Sequence, residues 1–337
     1  MTGHVNAAER KALLRRAQVW TPTDVASMNI VEGPRRKDGF KPGETVTCDY
    51  VEARLSGNTP KFACRLTHED TLKVRFGRDN GEVYASVAAT RLFSALGFGA
   101  DAMYPVQVIC RKCPEELGIE GRPEPGQIRF DVATIERKAP GVEIEAPSVG
   151  PGWSWGELDQ VDESAGGAPL AQRDALKLLA VMLQHTDSKA EQQKLVCLDE
   201  HESKHDVADC KKPLLMIHDV GQTFGRANLF NRNPLGSVNF ERWDGTPVWK
   251  DAKQCIGNLS PSQTGTLTDP RISEAGRKFL NDLLAKLTDN QLRDLFTVAR
   301  FAAKPGLNGA PKGATIDEWV AAFKKKRDEI AAARCIG

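Results

Sequence analysis

No stretch of about 18 consecutive apolar residues occurs in the chain, which excludes a membrane-spanning helix. Charge of one sign is missing too: 46 Lys and Arg stand against 45 Asp and Glu, a formal net charge of +1. There is no broad basic field for nucleic acid or an anionic membrane. Internal repeats and low-complexity tracts are absent, which removes repeat architectures. The opening MTGHVNAAERKALLRRAQVW lacks the apolar centre of a secretory signal, although a processed precursor restarted at a methionine would look the same. What is present is an ordinary globular composition, 40% hydrophobic and 27% charged over 337 residues. That length supports one large or two small domains with a proper core.

Cysteine is moderately abundant and even in number, at eight. Cys48 and Cys64 flank a turn centred near Ser56-Gly57, and would face each other in a hairpin whose partners sum to about 112. Cys197 and Cys210 flank a polar loop in the same manner, Cys110 and Cys113 form a C-x-x-C, and Cys255 and Cys335 remain. Three readings stay open: four disulfides, a zinc site made of Cys110, Cys113, Cys197 and Cys210, or reduced buried thiols. Disulfides would imply an oxidising compartment, so an extracytoplasmic location is favoured over a cytoplasmic one.

Along the chain, residues 6–18 read as a short amphipathic helix. TVTCDYVEARL, the turn SGNTP and KFACRL form a hairpin, and TLKVRFG is a third strand. From Glu82 to Leu96 the period is helical, with Ala85, Ala89, Leu92 and Leu96 on one stripe, a cap at Asp79 or Asn80 and a stop at Gly97. MYPVQVIC and QIRFDVATIERK are further strands. Residues 139–169, rich in Pro and Gly, read as a joint. Beyond it come an apolar helix at 170–184, two short strands, KLVCL and LLMIHDV, an irregular stretch at 222–270, and helices near 272–287, 289–303 and 315–333. The order predicts an α+β fold of two lobes: a β-rich first lobe with one long helix, and a mostly helical second lobe. The divisions expected are an N-terminal helix at 1–19, a first lobe at 20–140, a joint at 141–168 and a second lobe at 169–337. The cleft between two lobes is the expected ligand site.

Several side chains could carry chemistry. Lys73 shares a strand face with Thr71 and Arg75, either as part of a solvated face or as a phosphate-binding cation. Glu82 begins the next helix on its inward stripe, where it either favours the helix N-terminus or fixes Lys73. Gly57 lets backbone N–H groups approach a phosphate, or simply makes a hairpin turn. Asp187 in HTDSKAEQ and Asp219 in HDVG each end an apolar element and could meet in one cleft. Phosphoryl transfer needs such a pair, one carboxylate for the attacking hydroxyl and one for the metal. Gln192 can add an amide oxygen, and Lys189 can neutralise the transferred group. Trp153, Trp155, Trp243 and Trp249 read as residues that pack loops down, Arg173 and Asp174 as a solvated first helical turn, and FKKKRDE at 323–329 as a solvated helix face.

These motifs carry a resemblance. HTDSKAEQ resembles the catalytic loop of protein kinases, H-R-D-x-K-x-x-N, and HDVG resembles their D-F-G turn. TLKVRFG with Glu82 resembles their strand-lysine and helix-glutamate pair. ATIERK resembles the end of the hinge strand of bacterial toxin kinases and phosphatidylinositol kinases, and SGNTPKF resembles their phosphate loop. The five motifs lie in the family's order over residues 45–230, so the chain resembles an atypical bacterial member of the protein-kinase-like superfamily.

The resemblance implies a two-lobe kinase-like fold that moves the γ-phosphoryl of ATP, with Mg²⁺ or Mn²⁺, to a hydroxyl on a protein, a lipid head group or a small molecule. It implies Asp187 as base with Lys189 beside it, and Asp219 and Gln192 on the metal. Lys73 would touch the phosphates, held by Glu82. Ser56, Gly57, Thr59 and Lys61 would cover them. The backbone around Glu136 and Lys138 would meet the adenine. Gln192 stands where the family has Asn and Val220 where it has Phe, no A-P-E follows Gly225, and His185 takes the place of a packing histidine. Two alternatives follow from these departures: a pseudokinase acting as a nucleotide-binding module, or an AMP transferase on the same fold.

Overall fold

Alternation along TLKVRF decides how the first half closes. Leu72, Val74 and Phe76 are buried and point into one apolar interior, which leaves Thr71, Lys73 and Arg75 on the opposite face. In the computed structural model, which describes residues 2–57, 59–119, 121–199, 207–225, 236–305 and 313–335, the chain begins with β1 (Thr2–His4), α1 (Ala7–Arg15), β2 (Thr45–Val51), β3 (Lys61–Thr67) and β4 (Asp70–Phe76). Then come α2 (Glu82–Ala95), β5 (Ala102–Arg111), β6 (Arg122–Glu124), β7 (Gln127–Arg137) and β8 (Val142–Glu145). Strands β4, β3, β2, β5 and β7 lie side by side in that order, with β6 on the outside of β7. Strand β7 pairs again with β4, Val74 opposite Ile135 and Phe76 opposite Ala133, so the five strands close into a barrel. Phe62, Phe76 and Phe130 pack against one another inside it, with ring centroids 4.7–5.4 Å apart.

The second half comprises α3 (Leu170–Leu183), β9 (Gln193–Cys197), β10 (Pro213–Ile217), α4 (Phe240–Gly245), α5 (Glu274–Leu284), α6 (Asp289–Val298) and α7 (Ile316–Ala332). Four of these helices start where a side chain caps them: Asn239 for α4, Ser273 for α5, and capping boxes from Thr288 to Gln291 for α6 and from Thr315 to Glu318 for α7. The fold is thus α+β, a β-rich barrel with one long helix followed by a helical part, in the order the resemblance implies. No helix among the described residues is long and apolar enough to cross a membrane.

Some expectations change. Helix α1 forms within the expected segment, but the segment is not separate, because β1 before it pairs with β8 in a sheet completed by β9 and β10. The first residues therefore belong to the helical half. Arg173 and Asp174 are buried rather than solvated, since α3 is covered on nearly every side. Arg173 donates to the Leu158 carbonyl at 2.8 Å, and Asp174 accepts from the Ser273 amide at 2.9 Å. Lys326 is likewise buried, donating to the Thr246 carbonyl at 2.5 Å over the Trp243 ring. The four tryptophans expected in loops, Trp153, Trp155, Trp243 and Trp249, are all buried, and Trp243 lies in α4.

All eight cysteines are paired: Cys48–Cys64, Cys110–Cys113, Cys197–Cys210 and Cys255–Cys335. The zinc and free-thiol readings fall, because the four sulfurs that a zinc would need are bonded two by two. The β2–β3 register places Tyr50 opposite Cys64. The disulfide therefore reaches Cys48 from two residues further along the same strand face.

Helix α2 ties the halves together. Its stripe was expected to face one way, yet almost the whole helix is buried and it joins the core of the helical half, not the barrel interior. Gly97, at φ +87°, stops it as expected. Beyond α6, Arg300 reaches back to donate to the Ala133 carbonyl of β7 at 2.8 Å.

Candidate active site

Helix α3 ends at Gln184 in a left-handed turn, which throws the chain into the polar loop 185–192. His185 is fully buried beside Trp155, with neither ring nitrogen hydrogen-bonded among the described residues. Burial pulls its pKa down to about 4, against the opposing fields of Asp187 and Asp219, so the ring is neutral near pH 7. Asp187 follows, accepting from Gln192 Nε2 at 2.7 Å. The Gln192 carbonyl then accepts from two successive amides, His218 at 2.7 Å and Asp219 at 3.1 Å. Those bonds hold the loop bearing Asp187 against the end of β10, where Asp219 sits. The two acidic residues, distant in sequence, thus share one locality, and both fields reach His185.

From the barrel side, Arg75 meets them. Its Nη2 donates to Asp219 Oδ2 at 2.6 Å, the same nitrogen lies 3.5 Å from Glu136, and Nε lies 3.7 Å from Glu82. Burial opposes the charge on Arg75, but the three carboxylates outweigh it and strengthen the cation. Burial likewise disfavours the Asp219 carboxylate, yet Arg75, with Lys73 and His218 near by and the Gly221 amide bound to Oδ1 at 2.9 Å, holds its pKa far below the usual range.

The expected Lys73–Glu82 pair is replaced. Lys73 binds Glu136 at 2.5 Å, and the strand cation beside Glu82 is Arg75. Arg75 lies two residues nearer the start of α2 than Lys73, about 7 Å along the strand. Glu82 also collects Thr59 Oγ1 at 3.0 Å and Gln222 Nε2 at 3.1 Å, so one carboxylate joins the turn before β3, the strand and the segment after Asp219. Lys61 donates to Thr59 at 3.1 Å. Burial lowers its pKa, as do Arg75 and Lys73, while Glu82 and Asp219 pull the other way.

Of the residues expected from sequence, Thr59, Lys61, Lys73, Glu82, Glu136 and Asp219 form one connected cluster, and Asp187 and Gln192 are joined to it through the backbone of residue 219. Ser56 and Gly57 are exposed at the turn, Gly57 at φ +80°, and Asn58 between them and Thr59 lies outside the described residues. Lys138 is exposed beyond β7. Lys189 lies 3.5 Å from Glu191. Two members escaped the sequence reading. Arg75 was visible only as a face-mate of Lys73. His218, which bonds the buried Asp101 through Nδ1 at 2.5 Å, gave no signal beyond preceding Asp219. Burial works against ionised Asp101, but His218 and the Ala139 amide keep its pKa below the ordinary value.

The oxygens of Asp187, Asp219 and the Gln192 amide are hard donors of the kind Mg²⁺ or Mn²⁺ takes, and Gln192 spends its nitrogen on Asp187, which leaves its oxygen for a cation. The cations Lys61, Lys73 and Arg75 suit phosphate oxygens.

No family model and no curated protein matches the chain. Among solved structures, the crystal structure of a Helicobacter pylori proinflammatory kinase, CtkA, is similar to it, at 10% identity and a TM-score of 0.44, with 87% of this chain and 95% of that one covered.

Proposed function

We propose that the protein is an ATP-dependent phosphotransferase, moving the γ-phosphoryl of Mg- or Mn-ATP to a hydroxyl acceptor. The observation that supports this reading is the pair of backbone hydrogen bonds accepted by the Gln192 carbonyl, from His218 and Asp219, which favours a shared site for Asp187 and Asp219 opposite the cations of the barrel. In this reading Asp187 accepts the proton of the attacking hydroxyl, and Lys189 swings to the transferred group. Asp219 and Gln192 hold the metal, which neutralises charge on the β- and γ-phosphates. Lys61 and Lys73 meet phosphate oxygens, and the turn Ser56–Gly57–Thr59 covers them with backbone N–H groups. The backbone of residues 135–138, from Ile135 through Glu136 to Lys138, meets the adenine. Positioning and charge neutralisation supply most of the acceleration. The paired cysteines support an oxidising compartment.

The test is incubation with Mn²⁺ and ATP labelled on either the γ- or the α-phosphate, with a panel of protein, lipid and small hydroxyl acceptors. Transfer of the γ-label supports the proposal. Transfer of the α-label assigns AMP transfer instead, and tight nucleotide binding with no transfer to any acceptor assigns a binding module.

A further inference from the structure

Among the described residues, charges of both signs meet at the mouth of the barrel. Glu82, Glu136 and Asp219 face Lys61, Lys73 and Arg75, three carboxylates against three cations. Arg75 is the hub, because it alone among the described residues approaches all three carboxylates, and it is buried. Its planar fork suits several acceptors at once, which an ammonium cannot match with the same geometry. Its closest contact is Asp219 Oδ2, on the carboxylate that would hold the metal in that reading.

Resting on the phosphotransferase reading, we infer that Arg75 is a positioning residue that makes metal binding conditional on nucleotide. In the free protein its guanidinium serves as the counter-ion of Asp219. A bare divalent cation must share or displace that contact, and it adds two positive charges beside a buried cation already in place. A metal–nucleotide complex carries net negative charge. Its phosphates give Arg75 new acceptors as Asp219 turns to the metal, while Glu82 and Glu136 keep the guanidinium in place. Arg75 thereby takes over the pairing with Glu82 that Lys73 was expected to make, and the site rejects metal without nucleotide.

The experiment is titration with Mn²⁺ alone, followed by its electron paramagnetic resonance signal, and with Mn²⁺ plus a non-hydrolysable ATP analogue. The variants are Arg75→Gln, Arg75→Lys and Asp219→Asn. Wild type is expected to bind bare Mn²⁺ weakly and the Mn–nucleotide complex well. Arg75→Gln is expected to bind bare Mn²⁺ about tenfold tighter and the complex about tenfold weaker, a crossing of the two affinities. Loss of packing alone would weaken both. Arg75→Lys, which retains the charge, covers the case in which the Gln variant does not fold: it should keep the weak bare-metal binding and lose part of the affinity for the complex. Unchanged metal affinities in the folded Arg75 variants, with Asp219→Asn abolishing binding of the complex, would overturn the inference and leave the phosphotransferase reading standing. Failure of wild type itself to bind the Mn–nucleotide complex would sink that reading as well, and is seen without any variant.

Discussion

The barrel side of the site and the hairpin side solve the same problem differently. On the barrel, charges hold charges: Arg75 and Glu82 are buried, Lys73 and Glu136 partly so, and they pair as ions. On the hairpin, Gln192 holds both acids: its side-chain amide donates to Asp187 and its backbone carbonyl accepts from the Asp219 amide. The barrel side is therefore tolerant of geometry and sensitive to charge, whereas the hairpin side is sensitive to where the chain turns. Asp219 is the point of contact, bonded to Gln192 through its backbone and to Arg75 through its side chain.

Breaking the hairpin side should produce the largest change. Asp187→Asn is expected to lower γ-phosphoryl transfer by about 100- to 10,000-fold while leaving binding of the ATP analogue intact, read by single-turnover transfer beside calorimetric titration. On the barrel side, Glu82→Gln keeps the shape and removes the charge facing Arg75. Transfer efficiency should fall by about tenfold, mostly through weaker nucleotide binding.

Two of the four disulfides sharpen the contrast, Cys48–Cys64 on the barrel side and Cys197–Cys210 on the hairpin side. Replacing Cys48 and Cys64 by Ser opens a bridge 16 residues apart in sequence, around the turn that bears Gly57 and Thr59. Replacing Cys197 and Cys210 opens one 13 residues apart, from the end of β9 to the segment just before β10. Each change should cost about 3 kcal/mol in denaturant unfolding. The first should also weaken nucleotide binding, and the second should instead slow transfer. Equal effects on both properties from the two variants would erase the distinction drawn between the sides.

The smallest effect expected is on acid stability. His185 has a folded pKa of about 4, below its ordinary 6.5. Below pH 6.5 the unfolded chain binds a proton that the folded chain resists, so stability is full above that pH and declines as pH falls toward 4. Asp219, depressed for a different reason, loses its contribution in the same direction at lower pH. The melting temperature of wild type should drop between pH 7 and pH 4.5, and His185→Leu should flatten that slope.

Much of the architecture was legible because it rests on local rules. Alternation at 71–76 announced β4, and the apolar run at 170–184 announced α3. The polar loop after α3 and the turn at Asp219 stood out because each ends an apolar element. Where the reading failed, the deciding neighbours were remote. Arg173, Asp174 and Lys326 looked solvated because their partners, Leu158, Ser273 and Thr246, come from other elements. The N-terminal segment looked independent because β8, its partner, lies about 140 residues away.

By itself, the sequence determined the order of elements, the oxygen donors at 187, 192 and 219, and the strand face that carries positive charge, since each follows from periodicity or residue chemistry. Tertiary structure alone decided which cation on that face meets Glu82. Positions 73 and 75 point the same way, and only the register of β4 against β7 and the placement of α2 put residue 75, not 73, within reach of the carboxylates of Glu82 and Asp219.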